Sequence, residues 1–300
     1  MPQKMREKLV SMSEAVAMVP DGSRLAIGGM SIHSHPMAFV REMIRQNKKD
    51  MTIIGSLNGL ETDMLIGASA VKRVETSCVS MERYGLARCF RRAVENQDIE
   101  MVEYSDYTAF YRFVASQSNL DFWPCDYLGG TDIPTYNKDI KEYNCPISGK
   151  HMYAIPSANA DFAIIHAAAA DVYGNVMLPQ HILFPNADDI MFARASRNVI
   201  VTVERIIPNS LVRKNAGMVM LHKHKVKAVV LAPYGAHPCS FPQFYNVDDR
   251  HFRLYMESTK TQEATDGYLR KYVREPDDQY GYLDLIGSRQ LMENNLPTFI

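Results

Sequence analysis

Gly28-Gly29-Met30-Ser31 is the stretch of this chain with the clearest chemical potential. It follows the short apolar run Arg24-Leu-Ala-Ile27. After Pro36, Met37, Val40 and Ile44 recur at helical spacing, so the local order is strand, glycine loop, helix. In open α/β sheets the crevice at such a junction is where ligands bind. Paired glycines let backbone approach a ligand closely, and successive N–H groups beside a helix N-terminus can stabilise an oxyanion or a phosphate. The same residues also read as a plain tight turn. A dinucleotide fingerprint needs G-x-G-x-x-G and a phosphate loop needs G-x-x-x-x-G-K-[ST], and the chain contains neither.

Two further groups fall near this junction. His33-x-His35 has the spacing by which some barrel hydrolases hold a metal ion, with His166 and His237 available as later ligands. The competing reading is polar loop residues, His35 lying near a helix N-cap. Tyr104-Ser105-Asp106 ends a β-rich run that begins near Ile99. In a parallel sheet the Asp106 carboxylate lies at the same edge as the glycine loop, where it is a candidate acid/base, although aspartate beside a helix start is also a common N-cap. No G-x-S-x-G elbow supports a serine nucleophile.

Positioning these groups takes strands that end at one edge. Short β-rich runs occur at Met51–Ile54, Val74–Val79, Ile99–Tyr104, Phe122–Tyr127, Phe162–His166, Val199–Val203 and Ala228–Leu231, and several of the gaps between them are long enough for a helix. Ala163-Ile-Ile165 and Ala228-Val-Val-Leu231 are continuously apolar, as strands covered on both faces are. The expected fold is α/β, an open, doubly wound, mostly parallel sheet in a single domain spanning 1–300. Ser11-Met-Ser-Glu14 has capping-box spacing before an N-terminal helix. After Asp248 the pattern is charged and mainly helical, which predicts a C-terminal cap over about 249–300.

Composition narrows the function. The 300 residues are 46% apolar and 22% charged, and 33 Lys+Arg against 34 Asp+Glu leave no field to gather a nucleic acid. The richest apolar stretch, Phe162 to Ala170, is too short to cross a bilayer and contains His166. The charged start Met1-Pro-Gln-Lys-Met-Arg-Glu-Lys8 argues against secretion. Five cysteines without a C-x-x-C pair read as reduced thiols, so the expected location is cytoplasmic.

Several blocks in order resemble the A (alpha) chains of class I CoA-transferases, most in the pattern of the glutaconate enzymes. They are Leu25-Ala-Ile-Gly-Gly29 with Pro36, Asp63-Met-Leu-Ile-Gly67 with Val71-Lys72, and Asp161-Phe-Ala-Ile-Ile-His-Ala167 followed by Ala170-Asp-Val-Tyr-Gly-Asn-Val176. Ala228-Val-Val-Leu-Ala-Pro-Tyr-Gly-Ala-His-Pro238 and Thr259-Lys-Thr-Gln-Glu263 complete the set. The resemblance implies that CoA moves between an acyl-CoA and a carboxylic acid, with no permanently bound cofactor. It also implies a B (beta) subunit whose glutamate attacks the thioester.

This chain has no Glu-x-Gly, and Leu57 of Ser56-Leu-Asn-Gly59 stands where a short family pattern would put the glutamate. The resemblance gives the alpha chain a share in the site. Gly28, Gly29, Met30 and Ser31 would supply backbone oxyanion support, and Ser80, Glu82 and Arg83 would contact the acyl group. Gly129 and Gly130 would offer further backbone contacts or a turn, and Asn175 would sit in a structural turn. Ser34-His35 replace basic residues of the glutaconate enzymes, which puts a second substrate carboxylate in question. Relatives with this architecture include ring-cleaving hydrolases and decarboxylases, and the hydrolase branch carries an acid near position 106. An acyl-CoA binding module without turnover is a third reading.

Overall fold

The computed structural model describes residues 6–178 and 184–296, with side chains from residue 188 onward in the helix that begins at Phe184. Seven parallel strands form the centre: β1 (Arg24–Ile27), β2 (Met51–Ile54), β3 (Val71–Thr76), β4 (Glu100–Glu103), β5 (Phe162–Ala170), β6 (Asn198–Ile206) and β7 (Val226–Leu231). Their order across the sheet is β4-β3-β2-β1-β5-β6-β7, so the chain starts in the middle, winds outward to β4, then returns beside β1 and winds the other way. The topological switch point therefore falls between β1 and β5, where Leu25 pairs with Phe162 and Ile27 with Ile164.

Alternation persists although both faces are covered. Leu25, Ile27, Ile53, Ile164 and Ile200 point into one apolar layer, while Ala26, Ile54, Ala163, Ile165 and Val201 point into the other. Helices α1 (Met12–Ala17), α2 (Met37–Arg45), α3 (Leu60–Gly67) and α4 (Arg88–Glu95) cover the first face, together with the C-terminal helices. Helices α5 (Asp106–Gln117) and α6 (Phe184–Ala195) cover the second, Phe113 meeting Phe192 with ring centroids 4.3 Å apart. The capping box forms at α1: Ser11 Oγ accepts the Glu14 N–H and Glu14 Oε2 accepts the Ser11 N–H.

Two expectations change. Phe122–Cys125 is not a strand of the main sheet. It pairs antiparallel with His151–Pro156, which pairs in turn with Lys141–Asn144. This small sheet is inserted between α5 and β5, and its half-exposed alternation shows why it needs no second covering layer. β5 and β6 also run further than expected, to Ala170 and Ile206, because they stay in register beyond the end of β1. Beyond Asp248 the chain is helical at Asp249–Ser258, Gln262–Leu269, Arg270–Arg274, Gln279–Ile286 and Ser288–Glu293. Among the described residues no helix is long and apolar enough to cross a membrane.

Candidate active site

Because the strands are parallel, the loops after β1, β2, β3 and β4 meet at one edge, beside the switch point. The glycine loop after β1 is there, but its amide hydrogens are already engaged. Gly28 N–H donates to Ile164 O (2.7 Å), Gly29 N–H to Asp189 Oδ1 (2.6 Å), Met30 N–H to His33 O (2.9 Å) and Ser31 N–H to Leu57 O (3.0 Å). The expected oxyanion support from Gly28, Gly29, Met30 and Ser31 is therefore corrected in this conformation, because an amide hydrogen held by a carbonyl or carboxylate is not free for a substrate. The glycines serve close packing instead. Gly29 has φ +90° and any Cβ there would lie 2.6 Å from His35 Nδ1, while a Cβ on Gly28 would overlap the Asp189 carboxylate.

His35 explains why the loop is so tight. Its ring is fully buried, with Nδ1 2.7 Å from Gly28 O and Nε2 3.0 Å from Glu61 Oε2 and 3.1 Å from Ser31 O. Both ring nitrogens face acceptors, so the ring carries two protons. Burial opposes that charge, but the Glu61 carboxylate and the two carbonyls outweigh it and raise the His35 pKa. Burial likewise opposes charge on Glu61. His35, Asn58 and Thr62 overcome it and hold the carboxylate below its usual range. Glu61 also accepts the Gly59 N–H at 2.9 Å, so this ion pair clamps the β1 loop onto the β2 loop.

At the same edge Asp106 begins α5, but it is not the cap. Ser105 is the N-cap, its Oγ accepting the Thr108 N–H at 3.2 Å, and this corrects the N-cap reading of Asp106. The Asp106 carboxylate instead accepts a hydrogen bond from Ser56 Oγ, in the loop after β2. Its charge reaches two neighbours. Burial raises the Cys78 thiol and Asp106 adds to the rise, although a hydrogen bond from Ser77 works against it. Burial and then the Asp106 charge push Asp188, on α6, up to about 6. Asp188 is 4% exposed and has no hydrogen-bond partner among the described residues.

The remaining expected residues are partly gathered here. Ser80, after β3, donates its N–H to Asn58 O and accepts the Glu82 N–H on Oγ (3.0 Å), and its own O–H has no acceptor among the described residues. Glu82 turns back to His33, 3.6 Å away. Arg83 is exposed and leans over the Tyr84 ring toward Asp249, away from Asp106. Gly129 and Gly130 form an exposed turn with φ +87° at Gly130, in the loop whose Tyr127 ring meets that of Tyr107 at 4.7 Å beside Asp106.

The metal reading fails on geometry, since each histidine is used separately. His33 bonds Ser240 Oγ, His35 bonds Glu61, His166 lies between Thr202 and Glu204, and His237 between Tyr282 and Asp248. Among the described residues no three His, Cys, Asp or Glu side chains converge to hold an ion. Glu204 also accepts the Tyr245 O–H and the Tyr234 N–H, so the 228–238 block is a buried strut that packs against α2 through Ala38 N–H to Gly235 O. Asn175 sits in a turn held by Asp171, as expected.

Sequence reasoning missed Glu61 and Asp188. The signal for Glu61 was a carboxylate at the head of an otherwise apolar segment, Leu60 to Gly67, which must be paired if buried. Asp188-Asp189, next to Ile190-Met-Phe192, has the same form.

An open, mostly parallel sheet whose β1 and β2 loops are clamped by His35 and Glu61 beside its switch point defines an α/β protein of the crevice-binding class. The chain belongs to the coenzyme A transferase family, whose sequence profile matches residues 9–231. The A chain of glutaconate CoA-transferase from Acidaminococcus fermentans is 30% identical over 95% of this chain and 93% of its own length. The crystal structure of glutaconate coenzyme A-transferase from that organism matches with a TM-score of 0.91 at 29% identity, covering 97% of this chain and 96% of that one. An uncharacterized protein of Archaeoglobus fulgidus is 34% identical over 97% of this chain, which spans 65% of that relative's length. A cholesterol ring-cleaving hydrolase IpdA subunit from Rhodococcus jostii is 27% identical over 92% of this chain and 96% of its own.

Proposed function

We propose that this chain is the alpha subunit of a heteromeric, cytoplasmic CoA-transferase that moves CoA between an acyl-CoA and a carboxylic acid, the nucleophilic glutamate coming from its B subunit. The observation that carries the reading is the residue at position 57. Ser56-Leu-Asn-Gly59 is locked against the glycine loop through Ser31 N–H to Leu57 O, and it presents leucine where the family pattern calls for the attacking carboxylate. The partner's glutamate attacks the thioester carbonyl, forming an acyl-glutamyl anhydride and releasing CoA as thiolate. The thiolate attacks the glutamyl carbonyl of that anhydride and expels the first acid as its carboxylate. The second acid's carboxylate then attacks the glutamyl thioester and releases CoA thiolate, which adds to the new acyl carbonyl and returns the glutamate carboxylate. No permanently bound cofactor takes part. This chain supplies one wall: the Ser80 hydroxyl, the Ser56–Asp106 couple, and a glycine loop whose shape depends on His35 and Glu61.

The reading is tested by assaying the chain alone and with its B subunit, followed by mass spectrometry of the complex trapped with acyl-CoA. Activity only in the complex, with the thioester on a B-subunit glutamate, is the expected result. Turnover by the isolated chain, with a thioester on one of its own carboxylates, refutes it.

A second reading, hydrolysis of an acyl-CoA by the same pair, is favoured by Asp106, which is free of capping duty and can accept a proton from water or a carbon acid. Under that reading Asp106→Asn in the two-subunit complex lowers turnover about 10²-fold or more with folding intact. Near-normal turnover removes the acid–base role and leaves simple transfer.

A further inference from the structure

Ser80 is carried by a short loop that is tied down on both sides. The chain turns back on itself so that Ser80 bridges Leu86, and Met81, inside the turn, is fully buried. Tyr84 fixes the outer side. It stacks on Phe252 with ring centroids 4.3 Å apart and donates its O–H to Asp249 Oδ1 at 2.9 Å, both on the first C-terminal helix. Glu82 fixes the inner side. Its backbone has φ +46°, a left-handed conformation that an ordinary side chain keeps only where its surroundings hold it. Its N–H donates to Ser80 Oγ at 3.0 Å, and its carboxylate lies 3.6 Å from His33 Nε2, on the glycine loop. Arg83 turns the other way, toward Asp249, so among the described residues His33 is the only basic side chain within ion-pair distance of Glu82. His33 is itself firmly set. Its Nδ1 lies 2.5 Å from Ser240 Oγ, Ser34 N–H donates to Ser240 O (2.7 Å) and Ser240 N–H to Ile32 O (3.1 Å). With Nδ1 accepting the Ser240 O–H, the Nε2 proton faces Glu82.

We propose that His33 is a positioning residue of the acyl-CoA site, which holds the Glu82 carboxylate and thereby keeps the 80–86 loop closed with the Ser80 hydroxyl turned into the crevice. This rests on the acyl-CoA reading above and deepens it by naming what aims Ser80. The His33 and Glu82 side chains are 29% and 35% exposed, so their contact adds little to global stability. Its effect is local. Without it the left-handed Glu82 backbone relaxes, and Ser80 Oγ loses the N–H that orients it.

The test uses the reconstituted two-subunit complex with two variants. Glu82→Gln removes the charge, and His33→Asn keeps an acceptor for the Ser240 O–H while removing the atom that faces Glu82. Hydrogen exchange read by mass spectrometry reports the loop, and isothermal titration with butyryl-CoA, whose thioester oxygen can accept the Ser80 O–H, reports the site without turnover. In both variants amides 80–86 exchange about 3-fold to 5-fold faster, the worth of one half-exposed ion pair, with the thermal midpoint within about 2 °C of wild type. Both weaken butyryl-CoA by a similar factor, and neither weakens it further in a Ser80→Ala background, because they act through Ser80. A role in packing alone would leave the two losses additive. Unchanged exchange over 80–86 in both variants, or losses that add to that of Ser80→Ala, overturn the proposal. Faster exchange with binding losses coupled through Ser80, in a complex that transfers no CoA, overturns the transferase reading and leaves this one standing. A wild-type complex that does not bind butyryl-CoA overturns both.

Discussion

Replacing Glu61 by glutamine tests whether an ion pair, and not merely packing, holds the glycine loop. Both partners are fully buried, 3.0 Å apart, and the pair links the loops after β1 and β2. Glu61→Gln would keep the shape but leave the His35 imidazolium without a counter-charge. Breaking a buried pair in this way costs about 3–5 kcal/mol. The ring escapes part of that cost by losing a proton, but a neutral imidazole donates only one hydrogen bond and must give up Gly28 O or Ser31 O. The pH dependence then reverses. In the wild type the raised His35 pKa contributes stability below its unfolded value of about 6.5, and this is lost as pH rises through the folded pKa. In Glu61→Gln burial, the largest influence on the ring, is opposed only by the Gly28 and Ser31 carbonyls and depresses its pKa, so stability falls as pH drops below about 6.5. Urea midpoints between pH 5.5 and 8.5 read the two slopes, and a double-mutant cycle of His35→Asn with Glu61→Gln gives the coupling. A loss under about 1 kcal/mol with an unchanged slope sinks the argument, because the pair would then be dispensable to a buried junction.

Three other outcomes follow from the same structure. Gly29→Ala puts a side chain at φ +90° against His33 O and His35, so thermal unfolding should show a loss of about 1–3 kcal/mol, and an unchanged midpoint would mean that the loop relaxes freely. Ser105→Ala should cost about 1 kcal/mol in the same assay and Ser105→Asp close to nothing, since either oxygen accepts the Thr108 N–H; equal losses would mean that the cap is not the cause. Burial opposes charge on Glu75, but Arg112 and Arg24 hold its pKa down to about 2, so it stabilises the fold above its unfolded value of about 4.3 and that contribution is lost as pH falls toward 2. Glu75→Gln should therefore lower stability at pH 7 by about 3–5 kcal/mol and flatten acid unfolding between pH 4 and 2, and a steep acid limb in the variant would assign that limb to other carboxylates.

The parallel sheet was legible because apolar runs such as Ala163-Ile-Ile165 leave little choice once both faces are covered, and the Ser11–Glu14 spacing fixed the first helix start. Phe122–Cys125 misled for a physical reason. A β-rich run does not say which strand it pairs with, and here the partner, His151–Pro156, lies nearly thirty residues on. The glycine loop was found at its place in the fold but misread in its chemistry. Spacing identifies where N–H groups lie and is silent on whether a distant Asp189 or Leu57 already accepts them. Asp106 was placed at the right edge for the right reason, and its separation from the cap depended on Ser105 occupying that role one residue earlier.

Hydrogen-bond saturation divides the polar groups at this edge more sharply than residue type does. His35, Glu61, Asp189 and His166 are as buried as any residue in the crevice and would each look catalytic by composition, yet every one holds two loops or strands together. A group so employed cannot change its proton without loosening the junction it makes, so it is poorly suited to turnover. The groups with capacity left are the Ser80 O–H, Asp106 with one hydroxyl partner, and Asp188 with none among the described residues. They come from the loop after β3 and from α5 and α6, and the Asp106 charge acts both on Asp188 and on the Cys78 thiol at the exit of β3. A catalytic or binding role requires that a residue be held in place while its functional atoms stay unspent. The clamp of His35 and Glu61 does the holding here, which leaves Ser80, Asp106 and Asp188 free to meet a ligand.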